Sequence, residues 1–247
     1  MPKNNRTSNN NTALQNKTLH VNLGFAASEA YKLLRTNLMF ALPNDGDKKC
    51  RIIGITSSVR GEGKSTTAMN ISYTLAEVDK KVLLIEADMR LPNIAKRMEL
   101  KASPGLSNIL ISSGGDVSDY LQQSGIFNNW RIMTAGDLPP NPNELLGSRQ
   151  MQSVLKAFST VFDYIIVDLP PVNVVSDALV ISPLLDGIIV VVRENYSEKK
   201  ELRACLRQLS MANAKVLGIH MNAVKESHKR YGKSNKYYKY YKSERQE

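Results

Sequence analysis

Short runs of Val, Ile and Leu alternate along this chain with stretches whose apolar residues recur every three or four positions. The runs predict strands at 51–56, 82–87, 131–134, 164–168, 187–192 and 216–221. The periodic stretches predict helices at 64–77, 143–162, 176–184 and 198–212. An earlier helix is expected over 29–42, with Ser28 as its cap and Leu33, Leu34, Leu38 and Leu42 supplying its apolar positions. Strands as continuous in aliphatic residues as IIVD and IIVVV belong in a sheet buried on both faces. Strand and helix in alternation therefore predict an α/β fold, with a mostly parallel central sheet and helices on both faces.

The 247 residues, 42% of them hydrophobic, are enough for a large core without disulfides or metal staples. No unbroken apolar run is longer than that from Ile188 to Val192, far short of the ~20 residues a spanning helix needs. No secretory signal opens the sequence, and Cys50 and Cys205 stand apart and outside any CxxC. A soluble, intracellular protein is expected. The net charge is +10, but residues 1–23 hold three of those charges and residues 225–247 five, leaving two for the body. The expected organisation is a disordered basic segment at 1–23, a folded domain at 24–224 and a flexible basic tail at 225–247.

Strand RIIGIT runs into SSVRGEGKSTT and then into a helix, the context that a phosphate-cradling loop requires. Gly61 and Gly63 can turn successive N–H groups toward one anion, and the helix opening at Lys64 adds its positive end. Lys64 can reach the β- and γ-phosphates and the Ser65 hydroxyl can ligate Mg²⁺. Arg60, Gly61, Glu62, Gly63 and Thr66 complete the nucleotide-binding set. The pattern GxxxxGK[ST] departs at its first position, where Ser58 replaces Gly. Two further strands end in acids, Glu86-Ala87-Asp88 after VLLI and Asp168 after YIIV. That is the sheet edge at which α/β ligands bind, and Mg²⁺ on a nucleotide takes one or two carboxylates, directly or through water. Asn222, at the end of VLGIHMN, is either an adenine contact or a turn former.

These segments together resemble the bacterial tyrosine kinases of capsule and exopolysaccharide loci, over roughly nine tenths of the chain. GEGKST at 61–66 resembles their Walker A, LLIEADMR at 83–90 their Walker A′ and IIVDLPP at 165–171 their Walker B; LPPNPNELLGS at 138–148 also has a counterpart there. SEAYKLLRTNL resembles their oligomerisation helix, Glu-x-x-Arg-x-x-Arg, through Glu29, Lys32 and Arg35. Glu86 stands where the family usually has Asp, and Lys32 replaces an arginine and so loses the bidentate fork. The resemblance implies a P-loop fold of the deviant Walker type and an ATP- and Mg²⁺-dependent protein-tyrosine kinase. Lys64, Glu86, Asp88 and Asp168 would be catalytic, with Ser65, Asp88 and Asp168 around Mg²⁺.

Five of the ten tyrosines, Tyr231, Tyr237, Tyr238, Tyr240 and Tyr241, lie in the last 17 residues among lysines, and no aliphatic residue follows Val224. Residue chemistry alone leaves this segment open between a substrate, a stacking platform for single-stranded nucleic acid and an anionic-membrane adhesive. The family resemblance favours substrate, an autophosphorylation cluster used in trans within a homo-oligomeric ring. It further implies a membrane adaptor of the polysaccharide co-polymerase type on a separate polypeptide, a cognate phosphotyrosine phosphatase, and a cytoplasmic location at the inner face of the membrane. Nucleic acid is not an expected partner. The runner-up is a switch ATPase of the cell-division or partition type, against which stands Val59 where those proteins carry a signature lysine.

Overall fold

The computed structural model describes residues 23–42, 50–112 and 116–224. A seven-stranded sheet runs through it in the order β3-β4-β2-β5-β1-β6-β7. The strands are β1 (Arg51–Ser57), β2 (Val82–Glu86), β3 (Gln122–Gln123), β4 (Trp130–Met133), β5 (Tyr164–Asp168), β6 (Gly187–Arg193) and β7 (Val216–Asn222). All neighbours pair in parallel except β3 with β4. Central strands β1, β2 and β5 are rich in aliphatic residues and buried nearly end to end because both of their faces are covered.

One face packs under α1 (Phe25–Ala41) and α2 (Lys64–Ala76), with Ile53, Ile55, Leu84 and Ile166 meeting Leu38, Met69 and Ile71. The other face carries Ile52, Leu83, Ile165 and Val190. Over it lie α4 (Leu106–Ile111), α6 (Arg149–Phe158), α7 (Asp177–Ile181) and α8 (Lys199–Met211), while α3 (Ile94–Arg97) and α5 (Pro142–Leu146) are short connectors. A Cβ at Gly54 would press on the end methyls of Leu185 and Leu169, so glycine there lets that layer sit close to β1. Cys50 and Cys205 are buried and form no disulfide.

The six predicted strands are present, each within a residue or so. Three helical expectations are corrected. The first helix starts at Phe25 with Gly24 in the N-cap position, and Ser28 sits inside its first turn with its N–H on the Gly24 carbonyl, so it is not the cap. Leu33 points outward, 61% exposed, while Tyr31 takes an inner position. The single helix expected at 143–162 is two: after Gly147 the chain extends at Ser148, whose hydroxyl accepts the Met151 N–H and restarts the helix. In the 176–184 stretch only Asp177–Ile181 is α-helical, and a 3₁₀ turn follows at Ser182–Leu184. α3, α4 and β3 were not expected at all. They are too short to show a period and are held by tertiary contacts.

Candidate active site

The loop between β1 and α2 has positive φ at both glycines, 82° at Gly61 and 103° at Gly63, values that a side chain resists. A Cβ at Gly63 would collide with the Asn222 carboxamide. Glu62, fully buried, pins the loop by accepting the Val59 N–H at 2.9 Å and the Ser197 hydroxyl. No side chain caps α2, which leaves the positive end of its dipole facing the concave side of the loop.

Lys64, the first residue of α2, turns toward the carboxyl ends of β2 and β5. Parallel register sets Glu86 beside Asp168 there, and Asp88 follows two residues on. Lys64 Nζ lies 2.7 Å from Asp88 Oδ2, 3.6 Å from Asp168 Oδ1 and 3.3 Å from Ser65 Oγ. All four side chains are largely or wholly buried. Burial by itself pulls the Lys64 ammonium down, but Asp168 and Asp88 outweigh it and hold the group above its usual range. Lys64 is thus a fixed cation.

Burial pushes the Asp168 carboxyl up, and Lys64 and the nearby Ser65 hydroxyl offset only part of the shift. Neither Asp168 oxygen has a well-formed hydrogen bond. A wholly buried carboxylate in that condition is costly until a cation or water completes it. With the Ser65 hydroxyl beside it and an anion cradle adjoining, this is the oxygen donor set that Mg²⁺ on a nucleotide takes. The residues fit that ion.

Glu86 is occupied differently. Its Oε1 accepts the backbone N–H groups of Asn93 at 2.5 Å and Ile94 at 2.6 Å, and its Oε2 accepts that of Ala135 at 3.3 Å. Burial raises its carboxyl, partly countered by the Ile94 and Asn93 amides. It holds the start of α3 and the end of β4 to the sheet edge. Asp88 instead meets Lys64 and accepts the Leu91 N–H at 3.2 Å.

A family model described as an AAA domain matches residues 50–219. A tyrosine-protein kinase of Bacillus subtilis, YwqD, is 35% identical over 83% of this chain and 85% of its own length. A tyrosine-protein kinase of Streptococcus agalactiae, CpsD, is 34% identical over 85% of this chain and 89% of its own. The chain belongs to the bacterial tyrosine kinases. Among solved structures, the chimerical protein CapA2B2 superposes with a TM-score of 0.74 at 31% identity, covering 81% of this chain and 85% of that one.

In this bacterial tyrosine kinase, residues outside the three Walker segments brace the phosphate loop. The Tyr196 hydroxyl donates to the Arg60 carbonyl at 3.0 Å and Arg193 donates to the Gly61 carbonyl at 3.3 Å. Arg193 also lies over the Tyr196 ring, 5.3 Å from its centroid. Asn222 donates to the Glu62 carbonyl at 3.1 Å, and Arg97 of α3 donates to Thr66 Oγ1 at 3.0 Å. Beside this brace a 290 Å³ cleft is lined by Arg193, Glu194, Asn195, Tyr196 and Ala223. Arg60 itself is exposed at the loop's outer edge. Tyr196 and Ser197 carried no signal in the sequence, since they act from a loop 135 or more positions away.

The three charges that resemble an oligomerisation motif do not form one patch within the chain. Lys32 pairs with Glu29 at 2.9 Å on the surface of α1. Arg35 turns inward, donating to the Thr74 carbonyl at 2.6 Å and approaching Glu77 at 3.5 Å, and so ties α1 to α2. Tyr231, Tyr237, Tyr238, Tyr240 and Tyr241 lie outside the described residues.

Proposed function

We propose that this protein-tyrosine kinase binds ATP with Mg²⁺ in the Lys64 loop and transfers the γ-phosphoryl group to its own C-terminal tyrosines in trans. Supporting this reading above all is the convergence of Lys64 on Asp88, Asp168 and Ser65 beside two positive-φ glycines. Backbone N–H groups of the loop bind the phosphates, and Lys64 neutralises charge on the transferred group. Bound Mg²⁺ supplies further neutralisation of phosphate charge, with Ser65, Asp88 and Asp168 holding it directly or through water. The nucleoside lies toward the cleft at Arg193 to Tyr196 and Ala223, next to Asn222.

The acceptor is a phenol with a reference pKa near 10, so a nearby carboxylate assists by taking its proton. Asp88, which meets the Lys64 ammonium and one backbone amide, suits that task better than Glu86, whose oxygens are engaged by three backbone amides. The ring carries Glu29 and Lys32 at its subunit contacts, with Arg35 setting the angle of the helix that presents them. A membrane adaptor of the polysaccharide co-polymerase type recruits the kinase to the inner face of the membrane, where it regulates capsule or exopolysaccharide synthesis, and a cognate phosphatase resets the tail.

The trans step is tested by mixing two full-length forms. One keeps the active site but has its five tail tyrosines changed to Phe; the other carries Lys64→Met with an intact tail. Phosphotyrosine on the Lys64→Met chain is the expected result. Its absence, with wild-type chain labelled in a parallel sample, would refute transfer in trans.

A further inference from the structure

Ser65 has a polar neighbour that belongs to none of the Walker segments. Asn93 Nδ2 donates to Ser65 Oγ at 3.3 Å, while Asn93 Oδ1 is buried without a hydrogen-bond partner. Asn93 precedes α3, where an asparagine usually turns its side chain back onto the helix N–H groups, yet it makes no such bond. Glu86 performs that task from the sheet edge and at the same time accepts the Asn93 N–H. The carboxamide is therefore released from capping and fixed at its backbone.

Buried amide oxygens are rarely left without a donor. Among the described residues three buried acceptors here have no well-formed hydrogen bond, Asn93 Oδ1 and both oxygens of Asp168, and both residues flank the Ser65 hydroxyl. Mg²⁺ dehydrates reluctantly and keeps several waters in such sites, and each of those waters brings hydrogen-bond donors.

We propose that Asn93 is a positioning residue of the metal site. Its Nδ2 holds one lone pair of Ser65 Oγ and so fixes the hydroxyl; the second, which meets Lys64 Nζ in the ligand-free site, passes to Mg²⁺ when Lys64 turns to the phosphates, and Asn93 Oδ1 accepts from a water in that ion's shell. Glu86 sets the position of Asn93 through the backbone. The inference rests on the nucleotide-binding reading above and gives the longer acid at position 86 a structural task.

The test is Mg²⁺ titration of full-length protein with a fluorescent ADP analogue, which reads binding without turnover. Asn93→Ala should raise the Mg²⁺ concentration for half-maximal ADP tightening roughly tenfold, the lower range for loss of an outer-shell partner. Its ADP affinity in EDTA should stay within about twofold of wild type. Asn93→Asp loses the Nδ2 donor, but the Ser65 hydroxyl can donate to the new carboxylate and keep its oxygen toward the metal, so the retained acceptor and added charge should lower the Mg²⁺ requirement about threefold. A residue that only shaped the start of α3 would not move the two midpoints in opposite directions. Unchanged midpoints, or equal loss of ADP affinity with and without Mg²⁺, would overturn the proposal. Should Asn93→Ala fail to fold, an unshifted Asn93→Asp midpoint overturns it alone. A wild-type chain with no Mg²⁺-dependent ADP binding would sink the nucleotide reading and this proposal together.

Discussion

Replacing Glu86 with Gln separates a buried structural carboxylate from a catalytic one. Glu86 Oε1 serves two backbone amides and Oε2 a third. If the Gln oxygen keeps Asn93 and Ile94, its NH₂ group must face the Ala135 N–H, donor against donor. A buried donor left unpaired costs about 1–3 kcal/mol, and the two retained bonds lose roughly 1 kcal/mol each when their acceptor is no longer charged. Because burial disfavours the charged form of Glu86, a neutral side chain recovers part of that. A net loss of about 2–3 kcal/mol remains, which for a domain of this size corresponds to a Tm lower by about 5–10 °C. Glu86→Asp, one methylene short of the same amides, should also lower Tm. Circular dichroism melts of the ligand-free protein make the measurement. A Tm within about 1 °C of wild type for both variants would mean that the amides are not served by this carboxylate, and would return Glu86 to the candidates for acting on the phenol.

Lys64→Met should abolish phosphotyrosine formation, while a thermal melt shows a folded protein, because Lys64 contacts the acids of the site rather than the apolar core. The raised Asp168 and Glu86 carboxyls mean that the native chain holds protons more tightly than the unfolded one. Stability of the ligand-free protein should therefore fall as pH rises from the ordinary carboxylate range through the raised native values. Mg²⁺·ADP needs Asp168 ionised, so the Tm increase it produces should grow across the same window; a pH-independent increase would contradict this. Arg35→Ala removes the bond to the Thr74 carbonyl and the approach to Glu77. Hydrogen exchange should report faster opening of α1, and light scattering a smaller assembly, whereas Lys32→Ala should affect assembly alone.

The middle of the sheet was legible because its strands are buried on both faces, which forces Ile52 to Ile55 and Ile188 to Val192 to be almost wholly aliphatic. The phosphate loop was legible because close backbone approach to an anion demands glycine at 61 and 63, and the chain direction puts Lys64 next to them. Helix interruptions were not. Ser148 as a cap is visible only once the chain is seen to extend there, since a serine inside a helix reads the same way in sequence. Leu33 lies outside and Tyr31 inside on α1, where the buried phenol finds polar company near Thr67, Asn70 and Arg97. The work of Glu86 was hidden for a similar reason. Its partners at Asn93, Ile94 and Ala135 are backbone groups, and no side-chain pattern marks them.

Phosphate mapping on the intact chain tests the central claim most directly. Purified protein with the cytoplasmic segment of its adaptor is incubated with Mg²⁺ and γ-labelled ATP, digested and analysed by mass spectrometry. The account predicts label on tyrosine at Tyr231, Tyr237, Tyr238, Tyr240 or Tyr241, dependent on Mg²⁺ and absent from Lys64→Met. Phosphate released to water with no phosphotyrosine formed would contradict it, and would leave the site around Lys64 as that of an ATPase.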